Sequence, residues 1–226
     1  MPCKTVSRRS FLEGVAASAL IASVSNFAFI RPARAQTTLT PDAAIEQMMA
    51  GNQLYMQKGA LAFADDLAKF RLETEAKQQP FAAVLSCADS RVPVEIIFDQ
   101  NIGHLFVTRV AGNIVTPEIL ASLEYGVVVL GVVAIMVLGH ASCGAVRAAI
   151  AGEAVPGQIS VLYAPLRAAV DQAGPDLEAT IKANAQIQAR LLAEASPVLA
   201  AAIKAGKLKV VAAHYYLGTG KVELLG

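Results

Sequence analysis

The sequence predicts an α/β fold: a central, largely parallel β-sheet with an antiparallel edge strand, flanked by helices, with a helical arm at the N-terminus. Three observations carry this reading. Two short runs, Phe81–Leu85 and Val132–Leu138, are apolar throughout, as parallel strands covered on both faces are. Stretches with helical spacing alternate with such runs along the chain. Near the C-terminus the chain turns at Gly218-Thr219-Gly220 and re-enters a short apolar segment, the pattern of an edge hairpin.

Residues 1–35 stand apart from the rest. Ser7-Arg8-Arg9-Ser10-Phe11-Leu12 resembles a twin-arginine export signal, followed by the weakly apolar run Gly14–Ile30 and a small-x-small cleavage site at Ala33-Arg34-Ala35. Glu13 stands where such signals usually carry Lys and leaves the Arg pair intact. A membrane anchor is the competing reading, but the run is short and interrupted by Gly, Ser and Asn. The expectation is a leader over 1–35, cleaved near Ala35 after passage through the twin-arginine export machinery, and one periplasmic catalytic domain over 36–226.

From Thr40 the pattern is helical. Thr40 is a cap, Pro41 suits the first helical position and Asp42 complements the helix dipole. Ile45, Met48, Met49 and Leu54 give this helix an apolar face, and a second helix is expected over Leu61–Lys77. The strands follow at Phe81–Leu85 and His104–Thr108. Thr116-Pro117 opens a helix running to Leu130, Val132–Leu138 is the third strand, and Cys143–Ala151 is helical. A long helix over Val161–Ala195 is broken near Gly174-Pro175. Leu208–Ala213 is the fourth strand, and Tyr215–Leu225 supplies the edge.

Composition narrows the function. The formal charge of the 226 residues is +1, and five of the basic residues and one acidic residue lie in 1–35; the remainder holds 14 basic and 17 acidic residues, a net −3. A chain of that balance has no basic field for nucleic acid. Only Cys87 and Cys143 lie beyond the leader.

Both cysteines follow predicted strands. Cys87, Asp89 and Arg91 alternate after Phe81–Leu85, so an extended chain would send thiol, carboxylate and guanidinium to one side. His140-Ala141-Ser142-Cys143 follows Val132–Leu138. If the two strands are neighbours, Cys87, His140 and Cys143 converge at a switch point of the sheet, where ligands bind in open α/β folds. Two Cys and one His with an open fourth position is a catalytic zinc set. A Cys87–Cys143 disulfide is the periplasmic competitor, and it would leave Asp89, Arg91 and His140 without a role. A cysteine-based phosphatase loop would need more donors than Ala88-Asp89-Ser90 supplies. Arg91 can hold Asp89 ionised and turned away from the metal by a two-pronged pair.

These residues resemble the β-class carbonic anhydrases. The matching motifs are Cys87-Ala-Asp89-Ser-Arg91, Arg109-Val-Ala-Gly112-Asn113, Glu124-Tyr125-Gly126 and Gly139-His140-Ala-Ser-Cys143-Gly144, and the resemblance spans about residue 41 to the end. It implies zinc on Cys87, His140 and Cys143, a catalytic dyad of Asp89 and Arg91, and reversible hydration of carbon dioxide to bicarbonate and a proton by zinc-bound hydroxide that Asp89 orients. The resemblance also leaves open a closed state in which Asp89 is the fourth zinc ligand. In the plant-like branch the substrate pocket falls on Gln78, Phe106 and Tyr125, some of it supplied by a neighbouring subunit, with backbone N–H groups near Gly144. A homodimer or a tetramer of dimers follows, its helical arm reaching over the partner. Val84 stands where members with a non-catalytic bicarbonate site usually have Trp, which places the chain nearer the open branch. Arg109 and Asn113 are expected to shape loops and interfaces. His104 and His214 are candidate proton acceptors by chemistry alone. A carbon disulfide or carbonyl sulfide hydrolase shares the scaffold and its zinc residues, and a non-catalytic zinc protein is the rival from another class.

Overall fold

The computed structural model describes residues 37–59, 61–62 and 67–226. The expected leader over 1–35 and its expected cleavage site lie outside the described residues. Among the described residues no helix is long and apolar enough to cross a membrane.

The first helix, α1 (Pro41–Lys58), starts as its sequence dictates: the Thr40 hydroxyl accepts a hydrogen bond from the Ala43 N–H, and Pro41 occupies the first turn. α1 is more than an arm, because Ala44, Ile45, Met48 and Asn52 are all buried against the sheet. α2 (Leu67–Thr74) is shorter than the expected 61–77 and buries nothing within the chain. Beyond it come β1 (Ala82–Ser86), the short α3 (Val94–Ile97), β2 (Leu105–Arg109), α4 (Pro117–Val128), β3 (Ala134–His140) and α5 (Gly144–Ala151). A 3₁₀ turn over Ile159–Leu162 leads into α6 (Tyr163–Ala173). The break at Gly174-Pro175 is real: Gly174 adopts φ +71°, and Asp176 caps α7 (Leu177–Ala195) through the Ala179 N–H. α8 (Pro197–Lys204), β4 (Lys209–Tyr215) and β5 (Val222–Leu225) complete the order.

The sheet order is β2-β1-β3-β4-β5, with only the β4–β5 pair antiparallel. β1 and β3 are fully buried, which explains their unbroken apolar runs. One face of the sheet packs on α1 and α3, through Ala44, Met48, Val94 and Ile97. The other packs on α4, α7 and α8, through Leu123, Ala185, Leu192 and Leu199. A third cluster, around Leu166, Ile181 and Val146, surrounds both cysteines.

Asn52 ties the two ends of the described chain together. Its amide donates to the Ile97 and Gly220 carbonyls, and its oxygen accepts from the Val222 N–H at 2.8 Å. The preceding residue, Gly51, has no room for a side chain: a Cβ there would lie 1.8 Å from the Phe98 carbonyl oxygen.

Candidate metal centre

The chain leaves β1 toward β2 on one side and returns with β3 on the other, so the carboxyl ends of β1 and β3 form the switch point of the sheet. Cys87 follows β1 directly, His140 ends β3, and Cys143 caps the start of α5. The strand register places Ser86 beside Leu138, which brings the three side chains together from two strands and a helix start. Ser142, between the two ligands of the second loop, is held at φ +57°, a left-handed conformation that turns this loop sharply.

The Cys87 and Cys143 sulfurs and a His140 ring nitrogen lie within 4.8 Å of one another, and all three residues are buried. The His140 Nδ1 is 3.0 Å from the Ala141 carbonyl, so it carries the proton and donates it there. Nε2 is left buried without a hydrogen-bond partner. An orphaned ring nitrogen beside two thiols is a donor set suited to a cation, and its size and softness suit zinc. Cys87 is driven toward thiolate by the hydrogen bond from Cys143, with His140 and the backbone N–H groups of Gly112 and Asp89 adding to it against the cost of burial. Cys143 is held protonated by that same bond to Cys87 and by burial.

Asp89 and Arg91 meet, but not through strand alternation. β1 ends at Ser86, and the chain turns so that the Val92 N–H bonds the Asp89 carbonyl. Arg91 grips the carboxylate at three points: Nε to Oδ1 at 2.9 Å, a terminal nitrogen to Oδ2 at 2.7 Å, and its backbone N–H to Oδ1 at 2.9 Å. This fork holds the Asp89 carboxyl well below the usual carboxylate range. The Asp89 Oδ2 remains 3.9 Å from the His140 Nε2, facing the metal-ligand group without joining it.

Gly144 opens α5 next to Cys143, at the same edge of the group. Gln78, Phe106 and Tyr125 are not brought there. Phe106 pairs with Ala83, four residues before Cys87 and so about 13 Å back along the strand. The Phe106 and Tyr125 rings are 6.3 Å apart, and Gln78 and the half-exposed Tyr125 line a separate cleft of about 460 Å³.

The structure adds residues that spacing does not reveal. Arg109 donates to the Cys87 carbonyl at 2.9 Å and also to the Asp89 carbonyl, clamping the loop that carries both side chains. The Gly112 N–H donates to the Cys87 sulfur at 3.3 Å. His214 is fully buried, with Nε2 3.0 Å from a Glu178 carboxylate oxygen and its ring 4.6 Å from that of Tyr216. His104 lines a different cavity, with Phe81, Glu73 and Lys77.

A mostly parallel α/β sheet with a Cys-His-Cys group at its switch point defines an α/β protein with a set of donors that could hold a metal ion. Comparison with known proteins makes the class specific. Residues 82–222 match the family model described as carbonic anhydrase. Carbonic anhydrase 2 of Mycobacterium tuberculosis is 45% identical over 111 residues, which are 49% of this chain and 53% of that protein. This match thus spans about half the length of that relative. The carbonic anhydrase of Mycolicibacterium smegmatis is 34% identical over 204 residues, covering 81% of this chain and 93% of its own. Among solved structures, a tetrameric β-carbonic anhydrase of Sordaria macrospora shares the fold at TM-score 0.64 and 24% identity, over 81% of this chain and 94% of its own. The chain belongs to the β-class carbonic anhydrase family.

Proposed function

We propose that the protein is a zinc carbonic anhydrase that interconverts carbon dioxide and bicarbonate, with Cys87, His140 and Cys143 as metal ligands and Asp89 and Arg91 as the catalytic pair. The observation that carries this is the buried, unpartnered His140 Nε2 between two thiols, with an ionised Asp89 held 3.9 Å away by Arg91. Zinc, when bound, supplies the Lewis acidity that makes water nucleophilic near neutral pH. Asp89 accepts a hydrogen bond from the attacking water and so aims its lone pair at the carbon of carbon dioxide. Arg91 keeps that carboxylate anionic and turned from the ligand group, the open arrangement of the site. Backbone N–H groups at Gly144 are placed to steady the oxygen charge that develops on the substrate.

Phe106 lies about 13 Å back along the strand from Cys87, and Gln78 and Tyr125 line a cleft to which Cys87, His140 and Cys143 do not contribute. We assign them, as in the plant-like branch, to the pocket of a neighbouring subunit in a homodimer or a tetramer of dimers. The tetrameric β-carbonic anhydrase of Sordaria macrospora and the lack of any fully buried residue in α2 support this assignment. The Arg8-Arg9 leader supports export by the twin-arginine route to the periplasm, with residues 36–226 as the mature domain.

The test is carbon dioxide hydration, followed by stopped flow with a pH indicator, on purified protein of measured metal content. Turnover that tracks zinc at about one ion per chain is expected. Zinc-loaded protein without carbon dioxide turnover sinks the proposal. Turnover of carbonyl sulfide or carbon disulfide by that protein would point to the related hydrolases, and turnover of neither substrate to a non-catalytic zinc protein.

A further inference from the structure

The loop from Val110 to Thr116 has no regular structure, yet it places one backbone N–H on a ligand sulfur. Gly112 sits at φ +79° and Asn113 at φ +43°, two left-handed residues in succession, the second not a glycine. The loop's own hydrogen bonds are sparse: Asn113 N–H to the Val110 carbonyl, and Val110 N–H to the Ser86 carbonyl at the end of β1. It also packs closely, since a Cβ on Gly112 would lie 3.3 Å from a Leu166 methyl and 3.4 Å from the Ala145 Cβ. What holds it comes from α7. The Asn184 amide donates to the Gly112 carbonyl at 2.8 Å. The Gln188 oxygen accepts from the Val115 N–H at 2.8 Å. The Gln188 amide nitrogen then donates to the Asn184 oxygen at 3.1 Å and to the Pro165 carbonyl of α6 at 3.2 Å. Asn184 and Gln188 are each 1% exposed, one turn apart on the helix and directed at the 112–115 loop and α6.

We propose that Asn184 and Gln188 are positioning residues of the metal centre: they lock the 112–115 loop so that the Gly112 N–H stays on the Cys87 sulfur and tempers its electron donation. The inference rests on the zinc reading above. Two buried carboxamides that grip both sides of one loop fix its position far more tightly than packing of apolar side chains would. A hydrogen bond to a ligand sulfur draws charge from it, and partners of this kind tune both metal affinity and the electronics of the ion. With the donor in place Cys87 is a weaker electron donor, and the ion is a stronger Lewis acid than two unmodified thiolates would leave it. When Asn184 is lost, the Gly112 carbonyl loses its anchor, the loop can rotate, and the N–H···S bond is the contact that breaks.

The experiment uses the full protein with cobalt(II) in place of zinc, where the thiolate-to-metal charge-transfer band reports sulfur donation directly. Asn184→Leu and Gln188→Met keep side-chain volume and remove the polar links. Both variants are expected to move the band to longer wavelength and to shift the activity midpoint to higher pH. A purely structural role would lower the unfolding temperature and leave band and midpoint where they are, and that result in either folded variant overturns the inference. Gln188→Glu keeps the acceptor for Val115, drops the link to Asn184, and serves if the apolar variants fail to fold. In the unmodified holoprotein the Gly112 amide hydrogen must exchange slowly with solvent; fast exchange overturns the inference without any variant. A cobalt protein lacking the charge-transfer band removes the zinc reading itself, and this inference with it, whereas an unmoved band in the variants removes the inference alone.

Discussion

Asp89→Asn separates orientation of the nucleophile from binding of the metal. In the native site both carboxylate oxygens accept from Arg91, and the Oδ2 edge faces the ligand group 3.9 Å from the His140 Nε2. An asparagine keeps one acceptor, which can still serve the Arg91 backbone N–H and Nε. Its NH₂ must then stand where Oδ2 stood, donor against the Arg91 terminal nitrogen and donor toward the reacting water. Turning the amide over relieves neither contact without breaking the other two bonds. The water therefore loses the acceptor that aimed its lone pair. Loss of one preorganised group of this kind lowers kcat by about 10²–10³-fold, or roughly 3–4 kcal/mol of barrier. The Cys87, His140 and Cys143 donors are untouched, so zinc content should stay near one per chain. Stopped-flow hydration with parallel metal analysis reads both quantities. Turnover within about threefold of the native rate, at full zinc content, would show that Asp89 does not orient the nucleophile. Loss of zinc along with rate would show that it supports the metal instead.

Asn52→Ala should destabilise the fold by about 3–5 kcal/mol, since it strands the Ile97 and Gly220 carbonyls and the Val222 N–H in a buried place; urea unfolding that moves by less than about 1 kcal/mol would contradict the clasp. The His214 imidazole is pushed down from 6.5 to about 4, by burial first and then by the Lys182 charge, with Glu223 opposing. The unfolded chain takes up a proton near pH 6.5 that the folded chain refuses until about pH 4, so stability present above 6.5 is lost as pH falls through that window. The half-exposed Glu178 carboxylate beside Nε2 offsets part of the effect and leaves about 1–3 kcal/mol; His214→Phe should flatten the thermal-unfolding profile between pH 7 and 4.5, and an unchanged slope would rule His214 out as its source. Stripping the metal with a chelator should expose Cys87 and Cys143 to a thiol reagent, two groups per mature chain against none when zinc is bound, and equal reactivity in both states would show that the thiols are not ligands.

Much of this fold and of its metal group was legible because both depend on local signals. Unbroken apolar runs mark β1 and β3, and cysteine and histidine just past them mark the switch point once the strands are neighbours. The Thr-Pro starts of α1 and α4 read correctly, and Ser196-Pro197 opens α8 by the same device. That helix escapes a periodicity reading because its alanines blur the apolar face and it follows α7 after one residue. α3 has four residues, too few to show a period. The supports of Cys87 were illegible for a different reason: Gly112 acts through its backbone, which carries no residue-type signal. Asn184 and Gln188 did carry one, as polar residues four apart within the alanine-rich buried face of α7, but nothing in their spacing names the loop they hold. Arg109 likewise sits in a recognisable motif while its partners are carbonyl oxygens twenty or more residues away.

The Asn52 clasp also fixes when this protein can fold during its synthesis. Asn52 is made early, but two of its partners lie 168 and 170 residues downstream. The outer side of β3 is likewise unpaired until β4 is made. Cys87, His140 and Cys143 therefore all exist before β4 and β5 are made. The nascent chain must carry two thiols and an open sheet edge until β4 and β5 are made, and only then can α1 seat against the β4–β5 hairpin. Loss of β5 (Val222–Leu225) would accordingly unseat α1 as well as the edge of the sheet, because the first helix is held by a strand made some 170 residues after it.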